Sequence, residues 1–396
     1  YFIATAGMPS VVVLHNMVNG INSFPLIAVP FFIMAGHLMN TAGITSKIFA
    51  FARATVGWMY GGLGHVNVGA SVIFAGMSGA ATADAGGLGN IEIRAMRDSG
   101  YDTDFSVGIT AASSTIGPII PPSLPLVVYG VIADTSIGQL FAAGLLPGLI
   151  MALALMAMVG VRARLRGYPR DDRFSLRVFL RAFVDAILPL FTPIIIVGGI
   201  LTGMFTPTEA AIAAVAYSLF LGLAVYRTLD LNRIIKVSMD TIETTASIML
   251  IVAASAIFAW ILTANQVAQM FAAELLTMTE NPTAILLIIM LIVLVVGCFM
   301  ETIAAITILT PVLLPVAVQI GVDPVHFGII LILNLMIGLL TPPVGMVLYV
   351  LSKVADVPFE RCVVATAPFL VPLVAVLLLL TFVPALSMWL PVHFYR

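Results

Sequence analysis

Charge is what this chain most lacks. Asp, Glu, Lys and Arg together make up 9% of its 396 residues, against about 25% in ordinary soluble proteins. That excludes a soluble enzyme carrying a single anchor. The net charge is −2 and no basic patch or aromatic-lined groove is present, which excludes a nucleic-acid partner. Cysteine is almost missing. Cys298 and Cys362 both lie in apolar context and read as packing rather than a disulfide or metal site. No signal peptide with a charged start and a cleavage site is visible.

What is present is apolar: 61% of residues are hydrophobic, the composition of an all-α polytopic membrane protein. About 20 apolar residues cross a bilayer. Crossings are expected near 24–43, 105–134, 139–161, 185–204, 208–226, 244–263, 325–352 and 364–390. Two more apolar stretches, 66–98 and 287–320, are interrupted by GMSGAATADAGGLG (76–89) and METIAAIT (300–307). Their limbs read as nearer 12 residues than 20, so both are expected to be re-entrant helical hairpins, with non-helical backbone tolerated where it is protein-buried or wet. Residues 174–184 and 231–243 are expected to lie on the interface, where Arg and Lys can snorkel.

The breaks repeat. Residues 116–130 (IGPIIPPSLPLVVYG) and 337–350 (IGLLTPPVGMVLYV) share their punctuation. In one ungapped register offset by 221 residues, Gly76 meets Gly297, Gly100 meets Gly321 and Asp102 meets Asp323. Gly117 meets Gly338, Pro121 and Pro122 meet Pro342 and Pro343, and Pro147 meets Pro368. The Arg-rich loop 162–181 orients the chain, since such loops stay cytoplasmic. With five crossings between the starts of the repeats, the second is inverted. Inverted repeats with Gly/Pro-interrupted spans are a transporter architecture.

The broken spans carry the candidate chemistry. Half-helix N-termini attract anions, and unwound carbonyls with nearby hydroxyls and carboxylates suit sodium. Half one offers Ser78, Thr82 and Asp84 at its hairpin tip, facing Ser113, Ser114, Thr115, Gly117 and the carbonyls before Pro121. Half two offers Glu301, Thr302 and Thr307, facing Asn334, Gly338, Thr341 and the carbonyls before Pro342. Each has a plain alternative. Ser and Thr in membrane helices often bond the carbonyl one turn back, Asn334 can join helices, and Asp84 or Glu301 can cap a half-helix. An acid at membrane depth is costly enough to suggest function. Thr206 or Thr208 with Pro207 and Glu209 reads as a structural helix cap. GMSG (76–79) matches the pattern of an intramembrane serine protease, but none of His15, His37, His65, His326 and His393 sits mid-span on a later helix to activate Ser78.

These residues resemble the large membrane subunit (DctM or SiaM type) of tripartite ATP-independent periplasmic (TRAP) transporters. The resemblance rests on SFPLIAVPFFIMAGHLMNTAGIT (23–45), GMSGAATADAGGLG (76–89) and SSTIGPIIPPSLPLVVYG (113–130). GMFTPTEAAIAAV (203–215), METIAAITILTPVLLPVA (300–317) and NLMIGLLTPPVGMVLYV (334–350) complete it in family order. It implies a bacterial inner-membrane elevator-type transporter that imports an organic acid with sodium and no other cofactor. A soluble periplasmic binding protein would deliver the substrate, and a small membrane subunit would extend the scaffold. It implies one more helix ahead of Tyr1. It implies scaffold helices in 1–65, transport halves in 66–138 and 287–356, scaffold and arm helices in 139–286 and a last helix in 357–396. Sodium would sit at Ser78, Asp84, Ser114, Gly117 and Pro121, and at Glu301, Thr302, Gly338, Thr341 and Pro342. Thr82, Ser113, Thr115 and Asn334 are left for the substrate. The rival transporter is a stand-alone sodium/dicarboxylate symporter.

Overall fold

A computed structural model of the chain describes residue 9 and residues 11–168, 174–279 and 281–395. Among the described residues every regular element is a helix. In chain order the longer ones are α1 (Val11–Ile21), α2 (Ala28–Thr41), α3 (Ile44–Val56), α4 (Gly62–Ser78), α5 (Ala81–Asp98), α6 (Thr103–Ser114), α7 (Leu124–Ile132), α8 (Ile137–Arg166) and α9 (Leu176–Pro193). They continue with α10 (Pro207–Phe220), α11 (Leu231–Ala264), α12 (Val267–Met278), α13 (Pro282–Gly297), α14 (Thr302–Gln319), α15 (Pro324–Gly338), α16 (Met346–Ala355), α17 (Phe359–Phe382) and α18 (Ala385–Phe394). Seven helical stretches among the described residues are long and apolar enough to cross a membrane.

The repeat is visible element by element. α4 and α5 form one hairpin and α13 and α14 the other. The broken spans are α6 with α7, and α15 with α16. α5 starts at Ala81 and α14 at Thr302, in the same register as Pro121 and Pro342. Gly100 and Gly321 both close a hairpin's second limb at positive φ, +82° and +85°, a region open to Gly at little cost. The peptides Pro121–Pro122 and Pro342–Pro343 are both cis.

The halves interlock. α7, from the first broken span, packs on α14 of the second hairpin, and α16, from the second, packs on α5 of the first. α8 packs on α4, α7, α15, α17 and α18. α2 packs on α10 and α11 and α3 on α9, and these helices meet the halves where α3 packs on α4 and α11 on α14.

Three expectations need correcting. The hairpin limbs have 17, 18, 16 and 18 residues rather than about 12. Their small and polar residues lie within helix, and only the tips at Gly79–Ala80 and Cys298–Glu301 interrupt it. The stretches 174–184 and 231–243 are not separate interfacial helices. α9 starts at Leu176 and α11 runs unbroken for 34 residues, about 51 Å at 1.5 Å per residue; no Pro or Gly interrupts α11. The last expected crossing, 364–390, ends as a continuous helix at Phe382, and α18 follows Pro384. The expected cap is present: Thr206 and Glu209 form a capping box on α10. Arg170 and Arg173 of the Arg-rich loop lie outside the described residues.

Candidate functional site

Each hairpin tip rests on the break of its own half. Gly79 has φ +61°, and a Cβ there would lie 2.4 Å from the Pro122 carbonyl oxygen. In half two the Val344 amide donates to the Cys298 carbonyl (3.2 Å). Between the tips lies a cavity of about 610 Å³. Ala80, Ala81, Thr82 and Ala83 line it from one tip and Glu301, Thr302 and Ile303 from the other. Leu124 and Met346, the first residues of α7 and α16, also face it. Four helix N-termini therefore converge on one space, each carrying roughly half a positive charge.

The four differ in one respect. Glu301 caps α14, its Oε2 accepting from the amides of Ile303 (2.7 Å) and Ala304 (3.2 Å). Ser123 caps α7, accepting from the Leu126 amide (3.2 Å) and donating to the Pro118 carbonyl. α5 and α16 have no side-chain cap; Ala80 and Gly345 precede them. First-turn amides without a capping side chain seek another acceptor. Among the described residues no Lys or Arg lines the cavity.

The expected residues divide by location. Thr82, Glu301 and Thr302 face the cavity. Ser114 Oγ donates to the Ala111 carbonyl (2.8 Å) and Thr115 Oγ1 to that of Ala112 (2.6 Å). Thr307 and Thr341 likewise donate to the Ile303 and Ile337 carbonyls (2.7 and 2.8 Å). Asn334 Nδ2 donates to the Met290 carbonyl of α13 (2.5 Å), joining broken span to hairpin. Gly117 lies beside Ala80, and a Cβ on Gly338 would come within 2.6 Å of the Gly297 backbone. Pro121 is buried, whereas Pro342 is exposed. The side chain of Ser78 lies outside the described residues.

Asp84 is 2% exposed, turned into the hairpin beside Ser71, with no hydrogen-bond partner on either carboxylate oxygen. A charge at membrane depth costs about 2.5–3.5 kcal/mol or more. Hydrogen bonds to a charged group return roughly 1.5–3 kcal/mol each. Glu301 has two such bonds; Asp84 has only the neighbouring Ser71 hydroxyl to draw on.

Two groups escaped sequence reasoning. His37 and Asn40 of α2 and Thr244 and Ser247 of α11 complete the cavity wall; no motif marks them. Asn67, Glu92 and Thr110 form a buried polar knot with Ser113. Asn67 Nδ2 donates to Glu92 Oε2 and to Thr110 Oγ1 (both 2.7 Å), and Ser113 Oγ donates to Asn67 Oδ1 (2.6 Å). Glu92 lies in the same apolar stretch as Asp84, so the test that singled out Asp84 also reaches it.

Hairpins, broken spans and a cavity walled by helix ends define a multi-pass membrane transport protein rather than an enzyme. Residues 1–386 match the family described as tripartite ATP-independent periplasmic transporter, DctM component, and the chain belongs to it. It is 51% identical over 377 residues to the sialic acid TRAP transporter large permease protein SiaM of Vibrio cholerae, covering 95% of this chain and 88% of that one. It is 40% identical to the C4-dicarboxylate large permease DctM of Pseudomonas aeruginosa, covering 93% and 86%. Against the sialic acid TRAP permease SiaT of Haemophilus influenzae it is 42% identical, with 95% of this chain matching 61% of that one. Among solved structures, the Alcanivorax borkumensis YdaH transporter shares the fold, with TM-score 0.69, 14% identity, and 94% and 88% of the chains covered.

Proposed function

We propose that this subunit imports an organic acid coupled to sodium, by an elevator motion in the bacterial inner membrane. The observation that carries the reading is the cavity with two uncapped helix N-termini, α5 and α16, and no Lys or Arg among the described residues of its wall. Such amides take a carboxylate without a cationic side chain. Sodium supplies the missing positive charge, at Asp84 for half one and beside Glu301 for half two, with ligands from the breaks at Ser114, Gly117, Pro121, Gly338, Thr341 and Pro342.

The interlocked halves, 66–138 and 287–356, move together with α8 and α17 against a scaffold of α2, α3 and α9–α11. The halves are inverted across the membrane, and loop 162–181 is cytoplasmic. A periplasmic binding protein presents the substrate. A separate small membrane subunit extends the scaffold, whose apolar residues Phe191, Ile194, Leu250 and Phe258 are exposed. Relatives named for sialic acid and C4-dicarboxylates bracket the substrate class.

The test is uptake of labelled acids into vesicles containing the permease and its small subunit. Uptake is expected to require both an inward sodium gradient and the binding protein. Equal uptake of free substrate without the binding protein would favour a stand-alone symporter. Uptake indifferent to sodium would remove the coupling.

A further inference from the structure

The knot around Glu92 lies between hairpin one and α6, and none of its four residues lines the cavity. Glu92, Asn67, Thr110 and Ser113 are each no more than 1% exposed. Glu92 Oε2 is held by the Asn67 amide, while Oε1 has no partner at all. The internal repeat provides the control. In the register that pairs Pro121 with Pro342, Asn67 corresponds to Ile288, Glu92 to Leu313 and Thr110 to Leu331. At these three positions the second half carries apolar side chains, Leu313 and Leu331 buried and Ile288 partly buried, while the counterpart of Ser113 is Asn334; the repeat is therefore built there without an acid.

No ion pair among the described residues reaches Glu92. On α5, Arg94 and Asp98 are exposed and Arg97 donates to the Ala355 carbonyl (2.6 Å). α5 itself brings Asp84, a second acid, which acts on it through space. α4 brings His65, whose Nδ1 has no partner. α6 carries Asp102 and Asp104, held by Arg166 and Arg361 at the exposed end. α16 carries Lys353, which is exposed. A metal ion on Oε1 would sit close to the Asn67 NH2 group, which repels it, and would find few free oxygens. A proton needs only the one carboxylate oxygen and leaves Oε2 as acceptor for Asn67.

We propose that Glu92 is a proton site built into hairpin one, filled whenever the hairpin is buried, so that the transport cycle carries a proton dependence of its own. The step is a simple transfer. The Glu92 carboxyl gives its proton to water when the hairpin opens, leaving the carboxylate, and takes one back before the hairpin closes. The proposal rests on the transport reading only for its consequence; the site itself is tested apart from flux.

Infrared difference spectra of the purified, folded protein should contain a protonated-carboxyl band that is lost in Glu92→Gln and unchanged by sodium. A band retained in Glu92→Gln overturns the proposal. So does loss of the wild-type band on adding sodium, which would make Glu92 a metal ligand. Glu92→Leu places the residue of the other half there but leaves one Asn67 amide hydrogen without an acceptor, whereas Glu92→Gln keeps an acceptor for it. In vesicles that also contain the small subunit, supplied with the binding protein and a fixed inward sodium gradient, uptake of labelled N-acetylneuraminate should vary with pH in the wild type and vary less in both variants. The same pH profile in all three overturns the proton site; complete absence of flux in the wild type tells against the transport reading and leaves the infrared result to decide this one.

Discussion

Glu301 serves two purposes through one side chain: it holds the first amides of α14 and it places a carboxylate on the cavity wall. The two separate by substitution. Glu301→Gln keeps an acceptor for the amides, so its melting temperature is expected to stay near wild type while the sodium concentration for half-maximal uptake rises. Glu301→Ala also loses the cap, worth about 1 kcal/mol, and should melt lower as well; equal sodium dependence in both variants would leave Glu301 a cap alone. Gly338 is a packing residue first. An added methyl would lie 2.6–2.9 Å from the Gly297 backbone, and overpacking of that kind costs about 1–3 kcal/mol, so Gly338→Ala should lower thermal stability even without sodium. At this scale the placement of Asp84 and Glu301 within the hairpins was legible from their depth in apolar sequence, while Glu92, in the same stretch as Asp84, was passed over. The hydroxyls were not legible, because a helix offers every Ser or Thr a carbonyl one turn back, and Ser114, Thr115, Thr307 and Thr341 all take it.

α6 and α15 occupy corresponding places, yet each is tied to its hairpin differently: Ser113 meets the Asn67 side chain, whereas its counterpart Asn334 meets the Met290 backbone. Asn334→Ala removes one buried hydrogen bond and should destabilise by about 1 kcal/mol without changing the KM for substrate; a raised KM with unchanged melting would make Asn334 a ligand instead. At the start of α6, Asp102 accepts from Tyr168 and Arg166 (2.6 and 2.7 Å). Those contacts, the Tyr168 hydrogen bond first, hold its carboxyl below the usual carboxylate range. A depressed folded value means that the stabilisation is present above the ordinary Asp range and is lost as pH falls through the folded value. Thermal melts should therefore lose stability on the acid side, and Asp102→Asn should flatten that slope. Hairpins and breaks were legible in sequence because Gly and Pro mark them. The continuity of α11 was not: charges on a helix that leaves the membrane look like those of a helix lying on it.

The cross-packing of α7 on α14 and of α16 on α5 ties the two halves together, and α2 and α11 wall the cavity beside the tips. The proposed division into a moving and a fixed body was only partly readable from sequence. The repeat marks which segments correspond, but not that each broken span grips the other hairpin, nor which later helices accompany them, since an apolar helix packs on either group. If the bodies slide past each other, a covalent bridge across the cavity must stop transport. The structure offers a place for one: a Cβ on Gly87 of α5 would lie 3.9 Å from the Asn40 side-chain nitrogen of α2. The native cysteines, Cys298 and Cys362, are both buried and free, and serine at each leaves a clean background. In that background, Asn40→Cys with Gly87→Cys should crosslink under oxidation or with mercury, lose sodium-driven uptake as the crosslink forms, and regain it on reduction. Either single variant should keep transporting under the same treatment. Full crosslinking with undiminished uptake would show that α2 and α5 travel together, and the moving boundary would then have to lie elsewhere in the molecule.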